Sequence, residues 1–329
     1  MEPGPVVVVT GAGAGAARAI AVRFGREGWR VALISRSEER LRDAAAEVQA
    51  AGGEAMTLPL DVADCAAVFA ARDKVLEAWG GVDAWVNAAM ATVVAPISRM
   101  DADEYRRVTE VTYLGCVHGT LAALDPMRAR NRGAIVQVGS ALAYRAIPLQ
   151  SAYCAAKFAI RGFTDALRTE LLHEGSAVTA TMLQMPGMNT PQFDWARNKL
   201  ASEYQPVGEV FDPQVAGEAA WRAVRDRPRE LWVGGSAIEA IVGQMLAPGL
   251  LDRYTSRSAW DGQVTDIPNP HRLDNLFAPA PGRQGARGRF GGRAKPRAWI
   301  LDPTRARQAV VLAAVAALGL AGVRGLARR

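Results

Sequence analysis

Apolar residues along the first 235 positions come in two alternating patterns. Short unbroken runs occur at Val6–Val9, Val31–Ser35, Ala55–Leu60, Ala84–Asn87, Ala134–Val138, Val178–Leu183 and Leu231–Val233. Between them lie longer stretches with helix-like spacing: Ala16–Gly28, Glu38–Ala51, Cys65–Trp79, Asp103–Arg130, Tyr153–Glu174 and Pro213–Arg225. A strand covered by helices on both faces is apolar at every position rather than at every second one. The alternation therefore predicts an α/β domain over residues 1–235, built on a doubly wound parallel sheet.

Beyond residue 235 the pattern changes three times. Residues 236–277 include an amphipathic run, Ile238 to Leu246, and read as an extension packed on the domain, either a lid or an oligomer contact. Residues 278–298 shift to Pro, Gly and Arg, with six bases, no acid and no apolar period, which predicts a flexible linker. Residues 299–329 hold fifteen consecutive apolar or glycine residues, 309–323, with Arg307 before them and Arg324 after. As a helix that stretch is roughly 22 Å long against a hydrocarbon core of about 30 Å. A helix apolar all round must be buried, in this case either in a membrane or against protein.

Charge divides along the same line. The chain carries +6, but from Phe277 onward there are eleven bases and one acid, so the preceding residues hold 28 bases and 32 acids. The basicity belongs to the tail, and the mildly acidic body argues against a nucleic-acid groove. Arg287-Gly288-Arg289-Phe290-Gly291-Gly292-Arg293 has the look of an RNA-binding Arg-Gly segment, yet a single copy reads as a solvated linker. Cys65, Cys116 and Cys154 are odd in number and far apart, and His118, His173 and His271 are scattered. Neither a disulfide framework nor a metal site is expected, and a reducing, cytoplasmic setting fits best. The amino terminus lacks a basic n-region, which predicts no ordinary secretory signal.

The candidate chemistry sits at strand ends. Thr10-Gly11-Ala12-Gly13-Ala14-Gly15 follows the first apolar run and opens a helix at Ala16, so its backbone can approach a pyrophosphate at a helix amino end. This marks the sheet as Rossmann-like. About twenty residues on, an acid would hold a ribose 2′-hydroxyl; here Ser35-Arg36 stands instead. A guanidinium suits a 2′-phosphate, so NADP(H) is favoured over NAD(H), the alternative being that Arg36 is a solvated loop charge. Tyr153 and Lys157 lie four apart on one helix face, with Ser140 just past an earlier strand. Carbonyl reduction by a nicotinamide needs a proton donor beside the cofactor, and a phenol with an ordinary pKa of about 10 is too weak an acid alone. An ammonium one turn away favours the phenolate. Tyr153 is thus the expected acid and base, Lys157 its tuner, and Ser140 the residue that positions the substrate oxygen.

Together these residues resemble the short-chain dehydrogenase/reductase family over roughly Pro5 to Gly235. The shared motifs are Thr10-Gly11-x-x-x-Gly15, Asp61-Val62, Asn87-Ala88, Ser140, Tyr153-x-x-x-Lys157, and Pro186-Gly187 with Thr190. The resemblance implies that Asp61 and Val62 contact the adenine, Asn87 the adjacent ribose, and Pro186, Gly187 and Thr190 the nicotinamide end, with Lys157 also on the nicotinamide ribose. It implies dimers or tetramers through the long fourth and fifth helices. Three positions depart from the pattern: Ala17 replaces the last loop glycine, Ala89 a glycine after strand four, and Thr112 the asparagine that holds a relay water. Thr112 is expected to bind that water through one hydroxyl.

The expected function is an NADP(H)-dependent oxidoreductase interconverting alcohol and carbonyl on a small lipophilic molecule. Phe193, Trp195 and Tyr204, in the irregular segment after Gly187, either line the substrate pocket or pack against the body. Two other classes remain open: a non-catalytic NADP(H) sensor or scaffold, and an interaction protein recruited to the cytoplasmic face of a membrane by its tail.

Overall fold

The computed structural model describes residues 4–308, and the apolar stretch 309–323 lies outside them. Seven strands form a parallel sheet: β1 (Val6–Thr10), β2 (Arg30–Ser35), β3 (Glu54–Pro59), β4 (Ala84–Asn87), β5 (Gly133–Val138), β6 (Val178–Gln184) and β7 (Glu230–Val233). An eighth, β8 (Ile300–Leu301), pairs antiparallel with β7, giving the order β8-β7-β6-β5-β4-β1-β2-β3. The order reverses between β1 and β4, the switch point at which such sheets open a crevice.

The unbroken apolar runs serve two cores. Val7, Val9, Val31, Leu33 and Val136 face one side with Ile20 and Phe24 of helix α1 (Gly15–Gly25), Leu41 of α2 (Glu38–Ala50) and Val215 of a later helix. Val6, Val8, Ile34, Trp85 and Ile135 face the other, with Val68 and Val75 of α3 (Cys65–Trp79) and Leu167 further on. Neighbours in sequence thus go to opposite faces, and both faces are covered.

The long stretch expected as one helix is three pieces: α4 (Ala102–Val108), a π-helical Thr109–Leu114, and α5 (Gly115–Ala129). Helix α6 (Ser151–His173) carries the Tyr and Lys, and α7 (Gln214–Asp226) packs on α1. The extension begins as a helical pair, α8 (Gly235–Leu246) and α9 (Pro248–Gln263). Val264–Pro268 then pairs with Ser202–Tyr204, and Ala294–Lys295 pairs with Val210–Phe211, which also pairs with Gly187–Met188.

Residues 278–298 are not the free linker expected from their composition. They run along the body: Arg40 donates to the Gly282 carbonyl, Arg18 to Gln284, and Arg287 pairs with Asp212. Main-chain oxygens meeting guanidiniums hold them, together with side-chain ion pairs, and composition reveals neither. Among the described residues no helix is long and apolar enough to cross a membrane.

Candidate active site

The loop after β1 is built for close approach. Thr10 Oγ1 accepts from the amides of Ala88 and Ala89 at 3.0 and 3.2 Å, pinning the end of β4 to the end of β1. A Cβ on Gly11, where φ is +77°, would come within 2.9 Å of Ala89 Cα, so only glycine fits. Ala14 precedes α1 in extended conformation and offers no side-chain cap. The first-turn amides of α1 are therefore not consumed by a local side chain, and with the helix dipole they suit an anion.

One cleft runs over this loop. Its wall includes Gly11, Gly13, Ala14, Gly15 and Ala16 on one side, Ser35 and Arg36 at the end of β2, and Asp61 and Val62 beyond β3. Ala88 and Thr190 complete the set of anticipated residues found there. At the β2 end, burial lowers the pKa of both Arg36 and Arg40. Arg40 lies over the Trp195 ring, 4.5 Å from its centroid, and Asp61 pairs with Arg107. Ser35 Oγ is buried without a hydrogen-bond partner among the described residues. Arg40 and Arg107 do not follow from the motifs; Arg40's spacing of four from Arg36, at the start of α2, is a usable signal.

The second group lies deeper. Ser140 follows β5, where its Oγ accepts from Leu142 N at 3.1 Å. Tyr153 is half-buried; burial raises its phenol above the ordinary range, and Ser140 beside it acts in the opposite direction. Lys157 is buried, its Nζ donates to Val138 O at 2.6 Å, and it sits 5.5 Å from the centroid of the Tyr153 ring. Burial lowers the lysine to about 8. Its ammonium is bonded to the end of β5 rather than to the phenol. Ser140, Tyr153, Lys157, Pro186 and Gly187 do not form part of the cleft wall, which ends at Met90, Val111 and Thr190 on this side.

Residues 5–200 match the family model described as short chain dehydrogenase. The chain belongs to that family.

Known relatives agree on oxidoreductase chemistry, and this chain is an oxidoreductase of the family. It is 27% identical over 316 residues to an uncharacterised oxidoreductase of Bacillus subtilis, covering 95% of this chain and 88% of that one. It is 34% identical over 255 residues to 3beta-hydroxysteroid dehydrogenase 1 of Eggerthella lenta, covering 75% and 95%. Among solved structures it resembles an alcohol dehydrogenase from the archaeon Thermococcus sibiricus complexed with 5-hydroxy-NADP (TM-score 0.59, 28% identity, 69% of this chain and 95% of that one). A metagenomic short-chain oxidoreductase in complex with NADP gives a TM-score of 0.57 at 27% identity, covering 67% and 90%.

Residues carried over from this family have partners within the protein. The Asn87 side chain is engaged in the core at the end of β4. It accepts from Trp85 Nε1 at 2.9 Å and donates to Thr120 Oγ1 and Gln137 Oε1 at 3.1 and 2.9 Å, a buried network that spends both its protons. Thr112, in the π-helical stretch, donates to Ala91 O at 3.1 Å and accepts from Ala91 N at 3.0 Å. Its single proton is committed to that clamp, so it has none to give a relay water. Phe193 and Tyr204 pack in a small core with Val94, Leu149 and Phe290, whereas Trp195 lines the cleft.

Proposed function

We propose that this oxidoreductase takes NADP(H) and interconverts an alcohol and a carbonyl on a small lipophilic substrate. The observation that carries the reading is the pair Arg36 and Arg40 beside the orphaned Ser35 hydroxyl, at the strand end where a 2′-hydroxyl would call for an acid. The residues fit the dinucleotide: a loop glycine, Gly11, that admits no Cβ, a helix amino end that no side chain caps, and two guanidiniums gathered at the end of β2. The relatives named for steroid and alcohol chemistry, and the neighbours solved with NADP, support the same class.

Gly13 through Ala16 would hold the pyrophosphate, Ser35, Arg36 and Arg40 the 2′-phosphate, and Asp61, Val62 and Ala88 the adenosine. Pro186, Gly187, Thr190 and Lys157 would bound the nicotinamide end. The bound cofactor supplies or accepts hydride. Tyr153 donates the proton to the carbonyl oxygen, or removes it from the alcohol, and Ser140 hydrogen-bonds that oxygen. Lys157, poised near 8, steadies the phenolate and exchanges protons.

A sensor reading draws on the committed hydroxyl of Thr112 and on the cleft wall stopping short of Tyr153. Tyr153→Phe decides. The expected result is loss of turnover by a factor on the order of 10³, with NADPH affinity, read by its fluorescence, kept within about threefold. Retention of most turnover removes Tyr153 as the acid, and tight NADPH binding by a wild type that reduces no carbonyl across a broad panel favours the sensor.

A further inference from the structure

A segment of the chain lies along the cleft, with Pro279 in its wall. Residues 277–286, Phe-Ala-Pro-Ala-Pro-Gly-Arg-Gln-Gly-Ala, cross it as a strap fixed at both ends. On one side Leu276 is fully buried, Arg107 Nε donates to its carbonyl at 3.0 Å, and Asn275 N donates to Trp195 O at 2.9 Å. On the other, Gly288 N donates to Asn189 O at 3.1 Å and Phe290 enters the small core beside Phe193. A Cβ on Gly288 would come within 2.4 Å of Thr190 O, so the anchor lies hard against the body.

Between the anchors, strap oxygens meet two of the donors assigned above to phosphate, Gly15 and Arg40, and also Arg18; at the anchor, main-chain oxygens meet Arg36. Gly15 N donates to Gly285 O at 3.1 Å, capping the helix that Ala14 leaves uncapped. Arg18 Nη1 donates to Gln284 O at 2.9 Å. Arg40 donates to Gly282 O at 3.0 Å and to Ala280 O, and Arg36 to Asn275 O and Leu276 O. A guanidinium has hydrogens to share, but the Gly15 amide has one, and it is taken.

We propose that this strap is a pseudo-ligand, its carbonyls standing where cofactor phosphates bind, so that NADP(H) must displace 277–286 to enter and the strap reseats on release. The proposal rests on the NADP(H) reading of the cleft. The exchange favours cofactor because neutral strap carbonyls satisfy the hydrogen bonds of Arg40 without neutralising its charge, whereas phosphate does both, and Arg36, held at the anchor, adds its charge beside it. The strap is equipped to move as a unit, with Gly282 at φ +85° and two prolines stiffening its middle. It holds no acid that would tie it to these arginines, and its own ion pairs, Arg283 to Glu39 and Asp43, lie at the exposed rim.

In the test, a sequence-specific protease site is inserted between Gly282 and Arg283 of the full chain, and NADPH titrations are compared on the same folded sample before and after cutting. A strap closed ten to one in the free protein gives a Kd that falls on the order of tenfold once cut. Equal or weaker affinity after cutting overturns the strap while leaving the cofactor reading intact. Absence of NADPH binding in both forms overturns the cofactor reading and the strap with it. In the unaltered chain, saturating NADPH is expected to speed tryptic cleavage after Arg283, followed by mass spectrometry. Slower cleavage means the strap closes over bound cofactor instead, and refutes displacement.

Discussion

Lys157→Met removes the ammonium beneath the Tyr153 ring while keeping most of the side chain's length. The lysine is 3% exposed and its ammonium donates to a neutral oxygen, Val138 O, so burial lowers its pKa from 10.5 to about 8. At about 1.4 kcal/mol per pH unit, that gap corresponds to roughly 3 kcal/mol. Between about pH 8 and 10.5 the unfolded chain holds the proton and the folded chain has released it, so unfolding takes up a proton and stability rises with pH. Below about 8 both states are protonated and the burial penalty is present in full. Cys116 and Cys154, raised by burial to about 12 and about 11, act oppositely, losing stability as pH climbs past their unfolded values. The readout is therefore the difference between wild-type and Lys157→Met unfolding free energies in urea. That difference is expected to move in favour of wild type by roughly 3 kcal/mol from about pH 8 to about 10.5. A flat difference would refute the account of Lys157 as a desolvated cation, and with it the claim that its proton is exchangeable near working pH.

Arg36→Asp is expected to lower kcat/KM for NADPH relative to NADH by about ten- to hundredfold, the value of a charge-assisted hydrogen bond, and an unchanged ratio removes Arg36 from cofactor choice. Asn87→Leu leaves the buried Trp85 Nε1 without its acceptor and Gln137 Oε1 with Cys116 Sγ alone, so chemical unfolding should show a loss of about 1–3 kcal/mol with NADPH affinity nearly kept. A large loss of affinity at unchanged stability would instead return Asn87 to the ribose. Thr112→Val strips both bonds from the Ala91 peptide and should cost about 1–3 kcal/mol, recovered by Thr112→Ser. If kcat collapses in a Thr112→Val enzyme of wild-type stability, the relay role stands.

The sheet was legible because its inner strands are apolar at every position; Val6 to Thr10 are all buried, and no amphipathic reading competes. The glycine loop is legible from its place at the end of such a strand, and the Tyr-Lys pair from a spacing of four, which puts both on one face of α6. What escaped notice lacks a local signature. The π-helical Thr109–Leu114 shifts the helix register without disturbing its apolar spacing, and Gly187–Met188 and Val210–Phe211 are too short to show a period. Asn87 is turned inward by Thr120 and Gln137, which lie dozens of residues away in sequence. Residues 278–298 read as a linker because their side chains say nothing about their place; arginines and an amide elsewhere in the chain bind their backbone.

The two residues Ile300–Leu301 protect more than their size suggests. Bonded to Trp232 and Val233, they occupy the outermost rail of the sheet, where free amides and carbonyls beside buried Leu231, Trp232 and Val233 would recruit a neighbouring chain. Trimming the protein at 278 to discard its basic tail therefore strips a guard and invites strand-to-strand aggregation. A shortened enzyme meant to stay monodisperse should be cut after Gln308.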